Sequence, residues 1–193
     1  MEKAYKMFNK DLTCTMGRGT FQYKPGVWYE EMEREANCIA NGFHAAKNPL
    51  DCLSYYPNFA NSQCWLVEID GDIDEDARDS KVSAQKIRLV RRLSLPEFVC
   101  AASLYIISHP DMDYGSHVTV NRPAVANRNH FAIAVGECPI AKGNKGDVIA
   151  LLRTGAGSRK VVESNCFEID DVVFKSGVWY GVEGTEVRDD KEE

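Results

Sequence analysis

Val118-Thr119-Val120, Ala124-Val125-Ala126, Ala132-Ile133-Ala134, Ile140-Ala141 and Val148-Ile149-Ala150 are short apolar groups whose reading decides the fold. Between them lie Asn121-Arg122, Asn127-Arg128, Gly136, Gly143 and Gly146, so Ala126, Ala134, Ala141 and Ala150 fall eight, seven and nine residues apart. Strands this short, carrying side chains this small, bury little area each and gain by lying against neighbours of the same kind. Two architectures meet that need: stacked turns of a β-roll or solenoid, and a meander of small-residue strands. Either way residues 111–152 read as a β-repeat segment.

Upstream, Ser94-Leu95-Pro96-Glu97 carries the strongest local signal. Ser94 is placed to cap a helix, Glu97 to reach back to the cap amide, and Leu93 and Phe98 to staple the entry. Phe98, Ala101, Ala102, Tyr105 and Ile106 follow at helical spacing up to about Ser108, and Pro110 ends the run. Downstream, Val161 to Val187 returns to conventional strands before a charged tail, residues 188–193. Lys24-Pro25-Gly26-Val27-Trp28-Tyr29 and Lys175-Ser176-Gly177-Val178-Trp179-Tyr180 match at a distance. Each reads as a turn handing over to an aromatic strand, one supersecondary solution used twice.

The first third alternates short strands and turns. Lys3 to Phe8, Leu12 to Thr15, Thr20 to Tyr23, Val27 to Tyr29, Cys38 to Ala40 and Phe43 to Ala45 are strand-prone, with a flexible turn at Met16 to Gly19 and a solvated acidic run at Glu30 to Glu35. Asn48-Pro49-Leu50-Asp51 starts a short capped helix that Pro57 confines. Gln63 to Ile69 is a strand, Asp70 to Ser80 an acidic loop, and Lys81 to Leu93 a further strand. The expected class is α+β: a mixed sheet with two short helices in residues 1–110, the β-repeat over 111–152, and C-terminal strands over 153–193.

The chain has 193 residues, 44% apolar and 27% charged, which is a globular composition. Its 29 acids against 23 bases give a net charge of -6, which argues against general nucleic-acid binding and leaves room for a local basic patch. No run of eighteen apolar residues predicts a membrane helix, and the start has no secretory pattern. Seven cysteines without close pairs read as reduced thiols, mostly buried, in a cytoplasm. No metal is expected. A zinc set of Cys38, His44, Cys52 and Cys64 lacks the tight knuckles such sites use, and Asp70 to Asp76 departs from a calcium loop at its sixth and twelfth positions, Glu75 and Lys81.

Among the remaining polar residues, His44 is a switch group near neutrality. Arg88, Arg91 and Arg92 form a basic cluster, followed by Arg122 and Arg128. His44, Arg88, Arg91, Arg122 and Arg128 are the ligand-binding candidates, with phosphate or partner carboxylates as the fitting chemistry.

Asn41 to Tyr56, a strand ending at a glycine-aromatic step and then a short capped helix closing on tyrosines, resembles an element of ADP-ribosyltransferases. That resemblance implies NAD as cofactor, Tyr55 or Tyr56 stacking on nicotinamide, and Glu68 as catalytic carboxylate. The first strand lacks the histidine or arginine of those enzymes, and no Ser-Thr-Ser element is present. Tyr5 to Cys14, Phe21-Gln22-Tyr23, Gly42-Phe43-His44, Asn48 to Asp51, Tyr55-Tyr56-Pro57 and Arg92 to Leu95 are similar to an uncharacterised domain family of bacterial and bacteriophage proteins. Ala132 to Gly143 is similar to the β-roll of trimeric adhesin heads.

The family likeness implies phage or prophage origin; the absence of a coherent catalytic constellation, and short small-residue strands that gain by association, lead us to expect a non-catalytic binding or assembly protein. It is expected to act as a homo-oligomer on a host protein or nucleotide, without cofactor, in the bacterial cytoplasm or on a virion. An ADP-ribosyltransferase-like enzyme is the alternative.

Overall fold

The structure, a computed structural model, describes residues 1–14, 19–31, 41–75, 79–126 and 128–187. The expected turn at Met16 to Arg18, the strand at Cys38 to Ala40, most of the acidic run after Glu31, Asp76 and the charged tail lie outside the described residues. The chain forms two compact units, Met1–Ser94 and Leu95–Glu193. Strands take 44% and helical residues 15% of what is described, so the α+β expectation is corrected to an all-β-dominated fold. Two local outcomes produce the difference. The Asn48-capped segment stays a 3-10 turn, Pro49–Ser54, and much of the acidic stretch read as a loop is strand.

The first unit contains β1 (Glu2–Asn9), β2 (Thr13–Cys14), β3 (Phe21–Gln22), β4 (Trp28–Glu30), β5 (Phe43–Ala46), β6 (Ser62–Glu75) and β7 (Lys81–Arg92). All pairings are antiparallel. β1 lies along β6 from Glu2↔Ile69 to Asn9↔Ser62, β6 along β7, and β7 along β5. β5 returns to β1 through Tyr5↔Ala46. Four strands therefore close a ring, with β4 outside it on β7.

Period-two alternation sends Ala4, Phe8, Phe43, Ala45, Trp65, Val67 and Ile69 into the core of this unit. On β7 the buried parity changes between Ala84 and Ile87, because the register jumps from Asp70↔Lys86 to Ile73↔Ala84. Gly71 makes that bulge: its φ is 79°, and a Cβ there would stand 2.8 Å from Gln85 Oε1, which accepts the Asp72 N–H at 3.1 Å. The bulge keeps the acidic segment paired to β7 while its carboxylates meet cations. Asp70 pairs with the Met1 amine at 2.9 Å, and Glu75 pairs with Lys47.

The second unit contains α1 (Leu95–Ser108), β8 (Thr119–Val120), β9 (Ala124–Val125), β10 (Phe131–Gly136), β11 (Ala141–Lys142), β12 (Val148–Thr154) and β13 (Val161–Glu168). β8, β10 and β12 pair in parallel, and so do β9 and β11. Strands consecutive in sequence alternate between these two sheets, so the chain winds as a coil and the apolar groups stack within one chain. Thr119 meets Ala134 fifteen residues on, and Ala124 meets Ala141 seventeen residues on. The seven-to-nine-residue spacing of the alanines is thus the half-turn. Antiparallel β13 covers β12, and Tyr180 bridges to Ala141.

Size selects the faces. Ala124, Ala132, Ala134 and Ala141 fill the inside of the coil with Ile149, Leu151 and Tyr180. The other face of the larger sheet takes α1, whose Phe98 ring lies 5.8 Å from Phe131. With both faces covered, Val148 to Leu152 are fully buried and read as an unbroken apolar run. The helix, expected in the N-terminal domain, packs on β10, β12 and β13 of the second unit.

The two matched hexapeptides adopt one solution. The Tyr29 hydroxyl accepts the Lys24 N–H at 2.7 Å, and the Tyr180 hydroxyl accepts the Lys175 N–H at 2.6 Å. Gly26 and Gly177 take φ of 76° and 74°, values that favour glycine. Replacing Tyr180, which is buried, by Phe is expected to lower unfolding free energy by about 1 kcal/mol in urea titration. Ala134→Leu, inside the coil, is expected to cost about 1–3 kcal/mol by overpacking.

Candidate functional site

Lys6 lies between Ala4 and Phe8 in the same strand parity and is almost completely enclosed, 7% exposed. Its amine donates to the His44 carbonyl, across the seam where β1 and β5 share only the register pair Tyr5↔Ala46. The Phe8 and Tyr23 ring centroids lie 5.6 and 5.9 Å from Nζ. Phe8, Tyr23, Tyr29, Phe43 and the half-exposed Phe21 meet edge to face beside it, with the Phe8 and Tyr23 centroids 5.0 Å apart.

Burial holds the Lys6 amine below the ordinary lysine range, partly offset by the Cys14 and Cys52 sulfurs. The same burial, with Cys14 and Glu31 adding to it, raises the Tyr23 phenol. It also pushes the Cys52 thiol up to about 12. Cys52 donates to the Tyr5 carbonyl at 3.5 Å, and the Tyr56 hydroxyl donates to Cys14 Sγ at 3.5 Å. The cluster combines an amine whose proton affinity is lowered by burial with a thiol, Cys52, that burial holds protonated. The sequence reading passed over Lys6. Its inward parity between Ala4 and Phe8 was the available signal.

Glu68 stands in register with Lys3 of β1 and Arg88 of β7. Arg88 Nε donates to its carboxylate at 3.1 Å, and the guanidinium lies 5.0 Å from the Trp28 ring. Tyr55 is exposed, with the Lys81 amine 5.9 Å from its ring. Tyr56 instead reaches Cys14, whose strand is tied to the far end of β1 by Asn9 Nδ2 donating to Thr13 Oγ1 at 3.0 Å. From Lys3 to Asn9 the strand rises about 20 Å at ~3.3 Å per residue. Tyr56 is thus engaged by Cys14, and Glu68 by Arg88.

His44 is half-buried on β5 opposite Ser83, and Arg91 lies opposite Leu66. Cys52 and Cys64 are buried, Cys14 and Cys166 half-buried, and Cys100 and Cys138 exposed, so burial extends to fewer thiols than expected. Among the described residues no three His, Cys, Asp or Glu side chains could hold a metal. Cys38 lies outside them.

Arg122 and Arg128 belong to the second unit, on the turns after β8 and before β10. Both are exposed, and neither is ion-paired among the described residues. β8 pairs only with β10, and β9 only with β11, so the first turn of the coil is its open end. Val120 and Val125 are 54% and 57% exposed there. Exposed valines beside two unpaired cations make this turn the candidate binding surface.

A family model described as a domain of unknown function, DUF7666, matches residues 2–101. No curated protein and no solved structure matches. The matched residues contain the closed ring and the start of α1, and the coil lies beyond them.

A lysine lowered on folding binds fewer protons in the native than in the unfolded state, up to the ordinary value of 10.5. Its desolvation cost is therefore complete below the lowered value and is relieved as pH rises through that window. In urea titrations of wild type and Lys6→Met, wild type should gain stability relative to the variant as pH rises toward the ordinary lysine value of 10.5. A difference that stays flat would contradict the buried-amine assignment.

Proposed function

The chain belongs to the DUF7666 family through residues 2–101, and we propose that it is a non-catalytic binding protein that docks an acidic partner protein on the open turn of its coil. The observation that carries this reading is the pairing of exposed Val120 and Val125 with the unpaired Arg122 and Arg128. Edge strands accept an added strand, apolar contact supplies affinity, and flanking cations select a partner of opposite charge. The carboxylates of Glu68, Asp51 and Asp147 are meanwhile engaged by Arg88, Ser80 and His130.

Charge favours a different protein over a second copy, since two copies meeting here would oppose arginine to arginine. No helix among the described residues is long and apolar enough to cross a membrane. The setting we propose is a bacterial host cytoplasm or a virion.

The test is fluorescence anisotropy with a labelled decapeptide of alternating Glu and Val, at 50 and 300 mM salt as rough bounds. Wild type should bind saturably and more weakly at high salt. Arg122→Glu/Arg128→Glu and, separately, Val125→Lys should each weaken binding about tenfold or more, the equivalent of 1.4 kcal/mol. Equal affinity in wild type and the arginine pair would overturn the proposal. So would a sedimenting dimer that Val125→Lys dissociates, which would assign the same turn to self-association.

A further inference from the structure

α1 ends at Ser108, and its fourteen residues span only about 21 Å. Beyond that point the helix-facing side of the larger sheet continues as Val120, Val135 and Thr154, at the carboxyl ends of β8, β10 and β12. Chain after the helix crosses back over them and leaves a cavity of about 170 Å³, walled by Ile106, Tyr114, Val120 and Val135. A dry cavity of roughly 150 Å³ accommodates benzene, so this one matches a body of six to eight carbon atoms.

The polar side chains at this cavity are few, and Arg159 carries the one charge among them. Carbonyls at the end of α1 are already taken: the Ser108 hydroxyl donates to Leu104 and Tyr105 at 3.0 Å, and the Tyr114 hydroxyl donates to His109 at 2.8 Å. Arg159 is at the cavity and exposed, with one guanidinium N–H fixed on the Asp111 carbonyl at 3.1 Å. Its charge meets no carboxylate among the described residues. Thr154, nine-tenths buried, and Asn121 add a hydroxyl and an amide to the lining. A guanidinium with donors to spare accepts a carboxylate through two parallel hydrogen bonds. We propose that this wedge binds a small carboxylate with a branched or aromatic apolar body, the body in the cavity and the carboxylate on Arg159. The site borders the partner-binding turn at Val120 but takes its charge from Arg159 rather than from Arg122 and Arg128.

Methyl-resolved NMR titration of the full chain with sodium phenylacetate tests it. Phenylacetamide supplies the same body without charge, and acetate the charge without the body. Phenylacetate should saturate, shifting the methyls of Ile106, Val120 and Val135, while both controls bind about tenfold more weakly. Arg159→Gln, an exposed change that leaves the fold alone, should bring phenylacetate down to the level of phenylacetamide and leave phenylacetamide unchanged. Val135→Phe, which fills the cavity, should remove both. A linear response to phenylacetate, or equal affinity in Arg159→Gln and wild type, would overturn the proposal.

Discussion

Burial of β10 and β12 on both faces is the constraint on which the second unit depends. A parallel strand cannot turn straight back on its neighbour; the chain has to travel around and return. Here it returns by way of a second, smaller sheet, and the space between the sheets is filled by alanines together with Ile149, Leu151 and Tyr180. On the opposite side, Phe131, Ile133 and Val148 need a broad apolar partner, which the Phe98 to Ile106 stripe of α1 supplies. An alanine-lined interior and a helix as outer cover are thus one solution, and the wedge at Arg159 opens where that helix ends beside the carboxyl ends of the strands.

The first unit meets a related problem by closure. A ring of four antiparallel strands has no free edge except where a join is incomplete, and the β1–β5 join is a single pair. Lys6 occupies that place, reaching the β5 backbone with its amine and the aromatic cluster with its stem. A buried amine is costly, and here a carbonyl acceptor and two ring faces stabilise it. It reads as a structural stitch with an unusual protonation equilibrium, in the half of the chain that defines the family.

Local signals were legible wherever the cause was local. Asn48 does accept the Leu50 N–H, at 3.1 Å, and the two hexapeptides do share one turn. Asp70 to Glu75 misled because charge density speaks for solvent exposure, which a strand with one outer face also provides. The NAD reading joined Tyr55 or Tyr56 to Glu68 through a resemblance, and the structure gives Tyr56 to Cys14 and Glu68 to Arg88. Arg122 and Arg128 looked no different from Arg88 in sequence. Only the pairing of neighbouring strands separates an arginine held by Glu68 from two that stand in solvent.

The sequence by itself determined the alternation of small apolar groups with polar breaks, the limits of α1 and the turn chemistry, since each depends on residues within a few positions. Tertiary structure alone decided that the breaks are half-turns of a coil, that the helix covers the second unit, and that a lysine closes the ring of the first. Those outcomes depend on which distant strands pair and in which direction, and period-two side-chain patterns are the same for either direction.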